Sequence, residues 1–158
     1  MEYKWTALSN TTIGTLMASL DRNIVVIALP TIAIDLHTLI LTLVWIAFEY
    51  WIVTASVLLT FGRLADMFGR VKLYNVGFVL FTIGSALCSI SYSGEQLIIF
   101  RLVQSIGAAF LFSNSAAIIT DVFPEKERGK ALGLNQASIV IGSVIGLTLG
   151  GFLTSYLG

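Results

Sequence analysis

A chain of 158 residues that is 56% hydrophobic and only 11% charged, with a mean hydropathy of +0.90, falls outside the soluble class, in which about a quarter of residues are charged. Its formal net charge of zero gives no basis for a nucleic-acid surface, because the charges are segregated by position rather than spread over one face. The single cysteine, Cys88, sits in an apolar run and leaves neither an internal disulfide nor a cysteine metal site open.

A membrane helix needs about 20 residues to cross the hydrocarbon. Five stretches meet that length, at about residues 6–34, 43–62, 73–92, 96–120 and 129–157, so the expected fold is an all-α integral membrane bundle. The first stretch is too long and too polar for a cleaved signal peptide and is taken as a permanent span. Connections on one side carry Arg63, Arg70, Lys72, Lys126, Arg128 and Lys130, with Lys4 at the start, whereas the opposite connections carry Asp35, His37 and Glu95. The positive-inside rule then predicts a multi-pass protein of the cell membrane with Met1 in the cytoplasm and Gly158 outside. An odd number of spans ending with the last helix reads as a truncated chain, expected to be inactive alone and to need a second half or an oligomer partner.

Asp21 and Arg22 lie near the middle of the first span, where either costs roughly 3 kcal/mol to place in hydrocarbon. Two readings stand. The neighbours neutralise each other, or Arg22 snorkels, with no role in transport; alternatively, Asp21 faces a water-filled cavity and exchanges a proton. The second span carries Trp45, Glu49, Tyr50 and Trp51 near its outer end, where the three aromatic residues suit an interfacial belt. Glu49 is there either a substrate-facing carboxylate suited to a cationic compound or an interfacial acid exposed to water.

Between the second and third spans, GRLADMFGRVKLY (62–74) reads as a short cytoplasmic turn. Gly62 and Gly69 relieve crowding, and Asp66 and Arg70 stand four residues apart in the favourable order for a helical pair. On the fourth span Arg101, Gln104, Ala108 and Ser115 form a polar stripe at helical spacing, and an arginine buried there must be paired. In the charged segment that follows, Pro124 suits a first helical turn, and topology alone is one of two open accounts of Lys126, Arg128 and Lys130, the other being a role in a charged cluster. Finally, Ser138, Gly142, Gly146, Gly150 and Thr154 recur every fourth residue, with Gly151 beside Gly150, a pattern that lets a neighbouring helix approach closely.

Several of these runs resemble one family. The 62–74 run is similar to the loop between the second and third helices of major facilitator superfamily transporters, G-x-L-A-D-x-x-G-R-[KR]-x-x-[LY], departing only at Val71. LDRNIVVIALP (20–30) resembles the first-helix motif L-D-x-T-I-V-N-V-A-L-P of drug:proton antiporters, especially the fourteen-helix branch, with Asn23, Val26 and Ile27 as departures. RLVQSIGAA (101–109) resembles R-x-x-Q-G-x-G-A-A, with Ser105 replacing the first glycine. GSVIGLTLGG (142–151) resembles G-x-x-x-G-P-x-x-G-G, with Leu147 in place of the proline that helps bend the helix. Trp45 and Tyr50 stand where the antiporters have Trp and Tyr, whereas Glu49 falls where a small residue is usual.

The resemblance covers nearly the whole chain and implies the amino-terminal part of a proton-coupled drug exporter, with no cofactor and no metal. In the family a six-helix half consists of two inverted three-helix repeats, so the second repeat here would lack its last helix. Asp21 is implied as proton carrier, with Arg101 as its modulator, hydrogen-bonded to first-helix backbone. Glu49 and Gln104 are the candidate substrate-facing residues, for a small lipophilic or cationic compound. Asp121 is implied as an acidic partner of Arg70, forming with Asp66 a cluster that locks the outward-facing state; Gly62, Gly69 and Arg128 are assigned to the same latch. A metabolite or sugar transporter of the superfamily, favoured by Leu147, is the alternative, and a non-transporting membrane fragment or assembly partner is a third reading. Nothing points to an enzyme: there is no His or Cys cluster, no nucleophile beside a base and no phosphate-cradling loop.

Overall fold

Long apolar runs in which every backbone polar group must be bonded internally have one solution in hydrocarbon, the helix. The computed structural model describes residues 2–156 and consists there of five helices and no strand: α1 (Glu2–Asp35), α2 (Ile40–Phe68), α3 (Arg70–Ser89), α4 (Gly94–Val122) and α5 (Glu125–Tyr156). The shortest, α3, has 20 residues and so is about 30 Å long, enough to cross the hydrocarbon. Leu157, the expected end of the fifth span, and the termini Met1 and Gly158 lie outside the described residues.

Helix boundaries differ from the sequence expectation mainly at one end of the bundle. Residues 62–74 are not a loop. α2 runs on to Phe68 and α3 begins at Arg70, so Gly69 alone breaks the chain, with φ of 99° in a region that side-chain-bearing residues rarely enter. Its N–H donates to the Ala65 carbonyl at 2.9 Å and closes α2. Likewise α5 starts at Glu125, four residues before the expected apolar boundary, with Glu125 and Glu127 in its first turn, where the helix dipole favours acids. Hydropathy marks the part of a helix inside lipid; charged turns that project beyond it are invisible to that signal. Pro124 stands just before the helix, its carbonyl accepting from the N–H groups of Glu127 and Arg128.

α4 is the central helix, with fourteen of its 29 residues buried against four of 29 in α2. It packs on α1, α2, α3 and α5, while α1 and α5 form a second extensive interface. Small residues set both contacts. At the α3–α4 crossing Gly77 and Gly107 face each other so closely that a Cβ on Gly107 would lie 2.7 Å from the Gly77 carbonyl oxygen. On α5, Gly142 and Gly146 lie against the backbone carbonyls of Leu16 and Leu20, and Gly150 against Ile24 and Ile27. Gly151 faces open space, so the doubled glycine does not extend the contact. Thr154, at the end of the stripe, is bonded back to its own helix at Gly150.

Polar side chains reinforce the α1–α5 seam. Thr15 bonds to Ser138 at 3.2 Å and accepts from Asn135 at 3.2 Å, and the Ser19 hydroxyl donates to the Ile139 carbonyl at 2.8 Å. Within a membrane such interhelical bonds contribute on average roughly 0.6 kcal/mol each, so close packing at the glycines is their necessary complement.

Candidate functional site

Two clusters of charge stand at different depths. The first lies at the end of the bundle where α1 and α5 begin and α2 gives way to α3. Arg70 donates through Nη2 to Asp66 Oδ1 at 2.8 Å, through Nε to the same oxygen at 3.0 Å, and through Nη1 to Asp121 Oδ1 at 2.7 Å. A longer bond of 3.3 Å from Nη1 reaches the Ala117 carbonyl. One guanidinium thus ties the end of α2 to the end of α4 across the single-residue break at Gly69. The order Asp then Arg, four residues apart, survives that break because both flanking residues are helical. At the same end Lys4 pairs with Glu127 at 2.6 Å, joining α1 to α5.

Two residues assigned to the latch stand apart from it. Arg128 donates through Nε to the Phe123 carbonyl at 3.0 Å and so satisfies the end of α4 rather than joining Arg70. A Cβ on Gly62 would meet nothing within 4 Å, so that glycine mediates no close approach within this bundle.

The second cluster is buried near mid-span, Asp21 lying about 25 Å along α1 from Lys4 at the helical rise. From α4, Arg101 and Gln104 project with 2% and 1% of their surfaces exposed, on the same face as Ala108 and Ser115, which are also buried. Gln104 Nε2 donates to Asp21 Oδ1 of α1 at 3.0 Å and to the Ser85 hydroxyl of α3 at 2.7 Å. Arg101 Nε lies 3.3 Å from Glu49 Oε1 of α2, close enough for an ion pair but not aligned as a hydrogen bond, and Arg101 Nη1 lies 4.0 Å from Asp21 Oδ2. Four helices therefore converge on one polar knot.

This geometry corrects several expectations. Arg101 is paired with carboxylates, Glu49 first, rather than with first-helix backbone. Glu49, at 3% exposure, is not an interfacial acid in water, and in this conformation both it and Gln104 are engaged with the protein rather than open to a substrate. Asp21 and Arg22 do not neutralise each other: Arg22 lies over the Trp51 ring at 4.3 Å, a cation–π contact, while Asp21 turns to α4. Tyr50 belongs to the core and not to an aromatic belt, its hydroxyl donating to the Ala18 carbonyl at 3.3 Å, whereas Trp45 and Trp51 are exposed. Ser85 carried no sequence signal. The Glu49–Arg101 pair did: within the spans the only acids are Asp21 and Glu49, so a buried arginine had two candidate partners.

Such a knot in a bundle of five apolar helices defines a multi-pass membrane protein with charged side chains in the middle of its spans. The family pattern described as Major Facilitator Superfamily matches residues 11–158, and the chain belongs to that superfamily of transporters. Among its relatives are the riboflavin transporter RibZ of Clostridioides difficile, 39% identical over all of this chain and 35% of the relative, and multidrug resistance protein 3 of Bacillus subtilis, 37% identical over 90% of this chain and 28% of the relative. A methylenomycin A resistance protein of Streptomyces coelicolor is 37% identical over 98% of this chain and 32% of its own length. The chain spans about a third of the length of these curated relatives.

Proposed function

We propose that the chain forms part of a proton-coupled exporter of small lipophilic or cationic compounds in the cell membrane. The observation that carries this reading is Asp21, a mid-span carboxylate with 26% of its side chain exposed, within ion-pair reach of a buried arginine. A membrane protein retains such a costly group where it serves an ion path, and a carboxylate that gains and loses a proton as the cavity changes sides couples the proton gradient to the movement of a second solute. In this reading Arg101 modulates Asp21, and the Asp66–Arg70–Asp121 cluster latches one of the two end states of a bundle that rocks against a second bundle. Gly142, Gly146 and Gly150 hold α1 and α5 together as the rocking unit. The basic end, with Lys4, Arg70, Lys72 and Lys130, is cytoplasmic, which puts the amino terminus inside and the carboxyl end outside.

The relatives named for drug and antibiotic resistance favour export of a foreign compound. A second reading, transport of a metabolite, is favoured by the relative named as a riboflavin transporter and by Leu147 at the position where the antiporters have proline. Everted vesicles from cells expressing the native gene separate the two. Accumulation of a lipophilic cation that collapses with a protonophore supports export; accumulation of riboflavin alone supports the second reading. Accumulation of either that is indifferent to the protonophore rejects proton coupling.

A further inference from the structure

The two carboxylates of the mid-span knot share one guanidinium, and they are not equivalent. Glu49 has 3% of its side chain exposed and lies 3.3 Å from Arg101, whereas Asp21 has 26% exposed and lies 4.0 Å away. Pairing therefore differs between them: Glu49 holds the cation, whereas Asp21 is held at Oδ1 by the neutral amide of Gln104 and its Oδ2 is buried without a hydrogen-bond partner among the described residues. Other titratable or charged groups close to the knot are few. α1 brings Arg22, drawn off onto Trp51; α2 brings Tyr50, bonded to Ala18; α3 brings the Cys88 thiol, within electrostatic reach of Arg101. α5 has no titratable side chain between Lys130 and Tyr156. One negative charge of the pair is thus left without a full counter-ion.

We propose that Glu49 is a positioning residue of the proton site, holding the Arg101 guanidinium on its own carboxylate so that Asp21 is left short of counter-charge and takes the proton. The inference rests on the proton-coupled reading above. A proton passes from water to the Asp21 carboxylate and back to water, while Glu49 and Arg101 keep their charges throughout. Glu49 acts only through Arg101 and touches no substrate. Loss of its charge frees the guanidinium for Asp21 and removes a neighbouring anion; both changes favour ionised Asp21, which then takes a proton only in more acidic solution.

The test measures the pH dependence of lipophilic-cation transport in everted vesicles carrying the native gene product, Glu49→Gln, Glu49→Asp or Asp21→Asn. Glu49→Gln is expected to move the midpoint down by about one to three pH units, the range typical of a carboxylate gaining a cationic neighbour, while Glu49→Asp, which keeps the charge, stays near the parent. A midpoint unmoved in Glu49→Gln, in a protein whose transport is lost in Asp21→Asn, overturns the role of Glu49 and leaves proton coupling standing. Transport independent of pH in the parent protein rejects the coupling and the inference together. Should Glu49→Gln fail to insert, infrared difference titration of the purified parent and Asp21→Asn proteins decides instead. The inference expects the buried protonated-carboxyl signal to vanish in Asp21→Asn, and a surviving signal places the proton on Glu49 and overturns it.

Discussion

Gly146 of α5 lies so close to Leu20 of α1 that a Cβ on the glycine would stand 2.5 Å from the Leu20 carbonyl oxygen. Backbone cannot move aside as a flexible side chain does, so the two helices must separate to admit any larger residue. Because Leu20 immediately precedes Asp21, the separation reaches the polar knot. Gly146→Leu is therefore expected to destabilise the protein in detergent by about 1–3 kcal/mol, the usual range for overpacking. Gly151→Ala, where a Cβ meets nothing within 4 Å, is expected to melt with the parent. Equal melting temperatures for Gly146→Leu and Gly151→Ala would show that the seam does not carry stability.

At the bundle end, the bonds of Arg70 to Asp66 and Asp121 join α2, α3 and α4. The carboxylates are more than half exposed, so each pair alone contributes at most about 1 kcal/mol to stability. A shift of that size leaves the fold intact but changes a near-balanced equilibrium between two end states about fivefold. Asp66→Asn and Asp121→Asn are accordingly expected to slow transport severalfold while substrate affinity in detergent stays within a factor of two. Parallel loss of binding and transport would point to misfolding.

The spans were legible from length and hydropathy, and the cluster of Asp66, Arg70 and Asp121 from the resemblance of the run around it. The partnership of Arg101 was legible only in part. That it must be paired follows from burial, but choosing Glu49 over first-helix backbone requires knowing that residue 49 of α2 and residue 101 of α4 face each other, a relation between helices that periodicity within one helix does not contain. Gly69 shows the opposite limit. Residues 62–74 read as a short turn between the spans, whereas a single positive φ suffices, because the charged ends of α2 and α3 project out of the hydrocarbon and remain helical.

Orientation is open to a direct measurement. With Cys88→Ser removing the single native thiol, cysteines at Ser91 and at Lys126 occupy opposite ends of the bundle, in the α3–α4 turn and the first turn of α5. The excess of lysine and arginine at the α5 start predicts that an impermeant maleimide added to intact cells labels Ser91→Cys and spares Lys126→Cys. The reverse pattern would invert the bundle in the membrane and put the Arg70 cluster outside.

On the proton-coupled reading proposed above, coupling turns on Asp21. Its carboxylate is the only acid within the apolar part of α1, and its one hydrogen-bond donor among the described residues, Gln104, bonds equally to a neutral amide once the amide is turned to present its oxygen. Asp21→Asn therefore keeps the shape and the contact while removing the titratable carboxylate, which separates chemistry from folding. The expected outcome is a variant that inserts to the parent level and retains substrate binding but loses pH-gradient-driven transport by at least about tenfold, a barrier change of only about 1.4 kcal/mol. Asp21→Glu restores the carboxylate one methylene further out and is expected to recover part of that transport. Proton-driven uptake undiminished in Asp21→Asn would remove Asp21 from the mechanism and reduce the knot to packing, whereas loss of insertion in Asp21→Asn but not in Asp21→Glu would show that the charge is needed to hold Arg101 in the bundle.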